Sequence, residues 1–369
     1  MSVFAACAID SSPANGSQED NGADQSAALA VVEDDSLNED VTDPPLATDD
    51  SADPTEVDDV FTEPDDLAAI AAARTYRNPI ATDCADPGVI GVSGPNYYTV
   101  CTGFARKSST DLVKWDADGA LFKTKPSWGD GKWWAPEIHR ISDNHFVAYF
   151  VANRKSTNRM CIGAATASSP KDTFEDIGHP LVCDGTYGLI DPNVFTAADG
   201  KHYLYYKIDG NAFNPPRKTI IYGHQLSADG LGVVGVRHRT IENTLAWEGL
   251  VTEAPWVISR GKYFYMFYSG AAFNTSRYGI GVARATSPLG PFHKRSAPIL
   301  ASNSTWQGPG HNSTIEAGGH RYIIYAAWHD KANVGKRDML LDRISWSGGW
   351  PSVNNGTPST GTHTAPTVP

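Results

Sequence analysis

The first 66 residues contain no lysine and no arginine. They hold 19 of the chain's 42 acidic residues, so the remaining 23 face all 30 basic ones. The formal charge of −12 therefore belongs to an N-terminal segment, and the total says nothing about what the rest of the chain binds. That rest has no run of Lys and Arg interleaved with aromatics, which excludes the electrostatic footprint of a nucleic-acid binder. No apolar run reaches the roughly 20 residues that a membrane span needs. Met1–Ala8 is mildly apolar but has no basic start and is too short for a full signal peptide, so secretion has to be argued from elsewhere.

Other absences narrow the chemistry. There is no Gly-x-Ser-x-Gly elbow, no glycine loop for phosphate and no His-Glu-x-x-His. From 75 to 350 no long amphipathic helix is readable, which leaves an all-β fold. Residues 9–66 have a single aromatic, Phe61, and cannot bury enough apolar surface to offset the entropy of ordering. We expect 1–74 to be an acidic disordered segment and 351–369, rich in Ser, Thr, Pro and Gly, to be a disordered, extended tail or linker. Cysteine is scarce, at five. Cys84 precedes one strand and Cys101 ends its hairpin partner. Cys161 and Cys183 stand in a similar relation, so local pairing is the natural choice, with buried free thiols as the alternative. Two disulfides imply an oxidising compartment. Asn-x-Ser/Thr sequons begin at Asn15, Asn274, Asn303, Asn312 and Asn355.

What the sequence does contain is a repeated hairpin. In residues 252–270, TEAPWVISRGKYFYMFYSG, two runs rich in β-formers flank a polar turn. Similar pairs start at DPGVIGV (86–92), APEIHRI (135–141), DPNVFTA (191–197) and GHNSTIEA (310–317). Near the head of each first strand sits Asp86, Glu137, Asp191, Glu253 or His311, at separations of 51, 54, 62 and 58 residues. Hairpins repeating at this period predict a β-propeller of five blades. The first strand of each blade lines the axis, so four carboxylates and a histidine are expected around one pocket. Clustered carboxylates push one another's pKa values apart. A carboxylic acid facing a carboxylate is what glycoside hydrolysis needs: one protonates the leaving oxygen, the other activates water. Tyr76–Ile80 is expected to add an outer strand to the last blade and close the ring.

Six motifs in order resemble glycoside hydrolase family 43: Ala85-Asp86-Pro87, Ser109–Trp115 (STDLVKW), Trp134-Ala135-Pro136-Glu137, Gly188–Pro192 (GLIDP), Thr252–Pro255 (TEAP) and Gly308–His311 (GPGH). The resemblance covers about residues 76–350 and implies a five-bladed propeller and an inverting mechanism with three acids. By motif match Asp86 is the general base, Glu253 the general acid, and Asp191 the group that tunes and orients the acid. For Glu137, where the family often has Asp, substrate contact and structural support stay open. Trp134 is read as a wall for a sugar ring or as core. Arg277 is read as reaching a sugar hydroxyl or a catalytic carboxylate. His311 corresponds to a histidine that in some members holds an axial calcium through water, the alternative being a hydrogen-bonded core residue. If it lines the axis, Asn312 is buried and unglycosylated. No cofactor is required. The expected substrate is a polysaccharide or oligosaccharide with α-L-arabinofuranosyl linkages, β-D-xylosides coming second, and the expected protein is a secreted monomer without nucleic-acid or membrane partners. A non-catalytic glycan-binding propeller is the rival from another class. A fructan-active propeller is a further rival, but its Trp-x-Asn-Asp-Pro-Asn start is absent.

Overall fold

A computed structural model describes residues 74–329 and 336–369. The expected disorder of 1–73, and Cys7 and Asn15 with it, lies outside the described residues.

Five four-stranded antiparallel meanders follow one another along the chain. Blade 1 runs Gly88–Val92, Asn96–Val100, Ala105–Ser109 and Asp116–Ala120. Blade 2 runs Trp134–Ser142, His145–Arg154, Arg159–Ala167 and Glu175–Val182. Blade 3 runs Leu189–Thr196, His202–Ile208, Ile220–Leu226 and Val233–Glu242. Blade 4 runs Thr252–Arg260, Tyr263–Gly270, Gly279–Ala285 and His293–Lys294. Blade 5 runs Gln307–Ala317, His320–Trp328, Asp338–Ser347 and Trp350–Val353. The first strand of each blade packs on that of the next, and the fifth on the first, which closes the ring. The fold is the all-β five-bladed propeller expected.

The second strands are nearly continuous apolar runs because both faces are covered. Between each pair of blades lies a cluster of buried side chains. Val89 and Tyr97 of blade 1 meet Tyr322, Ile324 and Leu341 of blade 5, and Tyr205 of blade 3 meets Met266 and Tyr268 of blade 4. Stability is thus spread over five equivalent interfaces.

The expected outer strand at Tyr76–Ile80 does not form, since blade 5 draws its four strands from 307–353; chain from both ends instead covers the edge of Asp338–Ser347. The Ile80 N–H donates to the Met339 carbonyl at 2.9 Å, and the Tyr76 hydroxyl donates to the Leu341 carbonyl at 3.0 Å. Thr75–Tyr76 also pairs with His363–Thr364. Here the structure corrects the expectation of a loose C-terminal tail. Residues 351–369 lie folded against the propeller: Ala365 is buried, Val368 packs on the cluster between blades 5 and 1, and Ser359 bonds Asn78 and Asp342. Its polar composition hid the few apolar side chains that cap an open blade edge. The disulfides are Cys84–Cys101 and Cys161–Cys183, the local pairing. Among the described residues no helix is long and apolar enough to cross a membrane.

Candidate active site

Each inner strand enters the axis through one left-handed residue: Asp86, Ala135, Asp191, Ala254 and His311, with φ between 42° and 57°. In blades 2 to 5 the ladder register shifts around that residue, so each is a β-bulge. Proline follows in four of the five, where a bulge leaves no ladder bond for its missing N–H. A left-handed non-glycine residue is strained and persists only where its surroundings impose it. This frame corrects the sequence alignment of the blades. Asp86, Asp191 and His311 are equivalent. Glu137 stands two residues past its bulge, and Glu253 one residue before it.

The offset decides what each side chain does. Two residues past the bulge, side chains accept from the backbone of the next blade: Asn193 Oδ1 from Val257 N–H at 2.9 Å, and Ser313 Oγ from Val89 N–H at 3.2 Å. Glu137 belongs to this tier. Its Oε1 accepts from Val194 N–H and its Oε2 from Asn193 Nδ2. Burial pushes its carboxyl up to about 8 against those two donors. Glu137 is therefore placed as an inter-blade connector with both oxygens occupied. In blade 1 the same position is Gly88, where a Cβ would lie 2.7 Å from the Pro136 carbonyl, so only glycine lets blade 2 approach.

At or next to the left-handed residue lie the three acids. Asp86 is 7% exposed. Its Oδ1 stands 2.7 Å from Arg337 and 3.1 Å from His311 Nδ1, and its Oδ2 accepts from the Thr102 hydroxyl at 2.6 Å. Burial pushes this carboxyl up, but Arg337, His311 and Thr102 together outweigh burial and hold it far below the usual carboxylate range. Asp191 is equally buried, and its Oδ2 accepts from Ala254 N–H of blade 4 at 3.0 Å. Burial raises its pKa, the charges of Glu253 and Asp86 add to the rise, and His311 and Lys207 oppose it. Glu253 is reached from two sides: Lys207 Nζ donates to Oε2 at 2.8 Å, and the Tyr278 hydroxyl donates to Oε1 at 2.9 Å. His311 loses basicity through burial, yet Asp86 and Asp191 raise it overall. The mutual influence of Asp86, Asp191, Glu253, His311 and Lys207 puts them in one electrostatic cluster at the axis.

The remaining expected residues fall as follows. Trp134 is half-buried in the same tier as Glu253, one residue before its bulge, with Lys132 Nζ 5.0 Å from its ring centre. Arg277 is exposed and makes no ion pair with the three acids; Arg337 holds that place beside Asp86. Asn312 is 2% exposed, as expected for a neighbour of an axial His311. No group of three or more His, Cys, Asp or Glu among the described residues converges as a metal cage. His311 Nδ1 faces Asp86 beside the Arg337 guanidinium, and these contacts do not bear on the expected calcium, held by His311 through water. Lys207, Tyr278, Thr102 and Arg337 were not singled out from sequence. Lys207 alone left a signal there, as a lysine inside the apolar run HYLYYKI.

Residues 76–351 match the family described as Glycosyl hydrolases family 43. A beta-D-galactofuranosidase of Aspergillus niger is 26% identical over 240 residues, covering 62% of this chain and 66% of that protein. An extracellular exo-α-(1→5)-L-arabinofuranosidase of Cellvibrio japonicus is 24% identical over 328 residues, covering 78% of this chain and 89% of that protein. Among solved structures, a thermostable family-43 glycoside hydrolase superposes with a TM-score of 0.72 at 29% identity, over 79% of this chain and 99% of that one.

Proposed function

The chain belongs to glycosyl hydrolases family 43, and from that premise we propose that it is an inverting glycosidase of α-L-arabinofuranosyl linkages in plant cell-wall polysaccharide. The observation that carries the reading is that the axis brings Asp86, Asp191 and Glu253, far apart in sequence, into one cluster. Asp86 stands between the Arg337 guanidinium and the His311 imidazole and is held far below the usual carboxylate range, as a general base must be. Glu253 lies in the same cluster with a phenol and an ammonium as partners and is the general acid.

In the proposed reaction a water bound on Asp86 gives up its proton to the carboxylate and attacks the anomeric carbon. Glu253 protonates the departing glycosidic oxygen from the opposite face of the ring, and the configuration inverts. Asp191 fixes the Ala254 N–H, and so the backbone that aims Glu253, while its charge opposes early loss of the acid's proton. No cofactor enters. Phe273 is 45% exposed with its ring 5.2 Å from the Arg337 guanidinium, and half-buried Trp134 precedes the bulge of blade 2. Both offer apolar faces to a sugar ring.

Arabinose is favoured over xylose because a full-length relative is named for arabinofuranosyl hydrolysis and another for a second furanoside. The extracellular relative and the two disulfides support secretion, with exposed Asn274 and Asn355 as the acceptors for glycans. The test is hydrolysis of nitrophenyl α-L-arabinofuranoside and β-D-xyloside with linear and branched arabinan. Faster turnover of the arabinosides supports the proposal. Preference for the xyloside moves the enzyme to β-xylosidase, and retained binding of arabinan without turnover of any substrate makes it a glycan-binding propeller.

A further inference from the structure

At the end of the second strand of each blade, or just past it, one position pairs with the residue before the left-handed one. It is Thr102 in blade 1, Val151 in blade 2, Lys207 in blade 3, Ser269 in blade 4 and Ala326 in blade 5. In blades 1 and 4 its hydroxyl accepts the bulge N–H of the next blade: Ala135 N–H to Thr102 Oγ1 at 3.0 Å, and His311 N–H to Ser269 Oγ at 2.9 Å. Val151 in blade 2 and Ala326 in blade 5 carry no acceptor, and blade 3 places a charged side chain at this position. Lys207 cannot accept, so Asp191 takes the Ala254 N–H, and the lysine extends past it to Glu253. Lys207 is 1% exposed and divides its ammonium between Glu253 at 2.8 Å and Asp209, itself 7% exposed, at 3.1 Å.

Burying a lysine is costly unless it is paired. Thr or Ser there would have kept the structural bond at no such cost, so the lysine answers a different need. An ammonium against a general acid favours its anionic form, which is the opposite of what proton donation requires. We propose that the Lys207–Asp209 pair is a positioning device that sets the alkaline limit of activity: Lys207 aims Glu253 and promotes loss of its proton, and Asp209 moderates that pull by holding part of the same charge. The inference rests on Glu253 being the acid. The other groups facing Glu253 are Tyr278 by direct contact, and Asp191 and Arg337 through space, with Asp86 and His311 beyond them.

The test is the pH dependence of kcat/KM on an arabino-oligosaccharide, whose poor leaving group demands protonation. In Asp209→Asn the lysine's charge falls undivided on Glu253, and the alkaline limb moves to lower pH by about one unit. In Lys207→Met/Asp209→Asn, which removes both charges and leaves no unpaired ion, the limb moves to higher pH by a similar amount. Lys207→Arg keeps the charge and retains the native limb more closely than the double variant. Shifts of opposite sign in two variants that melt cooperatively support the proposal. Unmoved limbs, or limbs that move the same way, overturn it. If the double variant does not fold, Asp209→Asn decides alone. A separate control tests the underlying reading. Glu253→Ala should lose far less activity on nitrophenyl α-L-arabinofuranoside, which departs without a proton, than on the oligosaccharide. Equal losses on both refute Glu253 as the acid whatever the limbs do.

Discussion

Replacing Arg337 tests how the base is kept charged. Its guanidinium lies 2.7 Å from Asp86 Oδ1, and both side chains are about nine-tenths buried, at 9% and 10% exposure. Burial alone would drive Asp86 toward its neutral form, and the opposing charge of Arg337 is the largest influence against it. An opposite charge at this range is worth roughly 1–3 pH units. In Arg337→Gln the acidic limb of kcat/KM, which reports the free enzyme's base, therefore moves up by about that amount. Stability follows with the same sign. A carboxyl whose folded pKa lies below its unfolded value stabilises the fold above the ordinary carboxylate range, and this is lost as pH falls toward the folded value. The native protein thus keeps this contribution under mildly acidic conditions, and the variant loses it at higher pH. Breaking a buried pair costs about 3–5 kcal/mol, so melts at pH 7 and pH 4.5 should show the variant less stable at both and disproportionately so at the lower. Arg337→Lys retains the charge and should recover part of the acidic limb. An acidic limb that stays in place in a folded Arg337→Gln refutes the view that this arginine holds Asp86 ionised.

Other outcomes follow from the same geometry. Asp86→Ala should cut hydrolysis of arabino-oligosaccharides by about 10²–10⁴ while circular dichroism stays unchanged, and residual activity above a few per cent counts against its role as base. Asp191→Asn keeps an oxygen for the Ala254 N–H but removes a negative charge, so kcat falls and the alkaline limb moves to lower pH by about one unit; an unchanged profile discards the tuning role. Replacing both Cys84 and Cys101 by Ser opens a link between residues 17 apart and should cost about 3 kcal/mol in chemical denaturation, with activity below the transition preserved.

Much of the fold was legible because its period is written in hairpins, and each hairpin carries its own turn and aromatic strand. The three acids were legible because an Asp-Pro or Glu-Ala-Pro at a strand head stands out chemically. That prominence also misled the register. Aligning on the acids put Glu137 and Glu253 level with Asp86, whereas the Pro after Asp86, Ala135, Asp191 and Ala254 marks the true frame. Two alanines in left-handed geometry leave no chemical trace of their own, so in blades 2 and 4 the following proline is the one sign of the frame in the sequence. The partners of the acids were harder to read for a different reason. Thr102, Lys207 and Ser269 share one position at the end of the second strands or just past it, but what each bonds depends on how neighbouring blades are rotated against one another. Arg337 comes from the start of the third strand in blade 5 to reach an acid in blade 1, a contact 251 residues apart that only ring closure creates. The C-terminal segment shows the limit of composition as a guide: a few apolar side chains such as Ala365 and Val368 suffice to dock a polar stretch whose neighbours already fix its position.

The decisive measurement is the configuration of the sugar at the moment of release, followed by proton NMR during hydrolysis of an α-L-arabinofuranoside. Water activated by Asp86 and a proton delivered by Glu253 across the axis give the β-anomer first, with the α-anomer appearing only by mutarotation. Initial release of the α-anomer would mean a covalent intermediate on one of these carboxylates and would contradict the roles assigned to both.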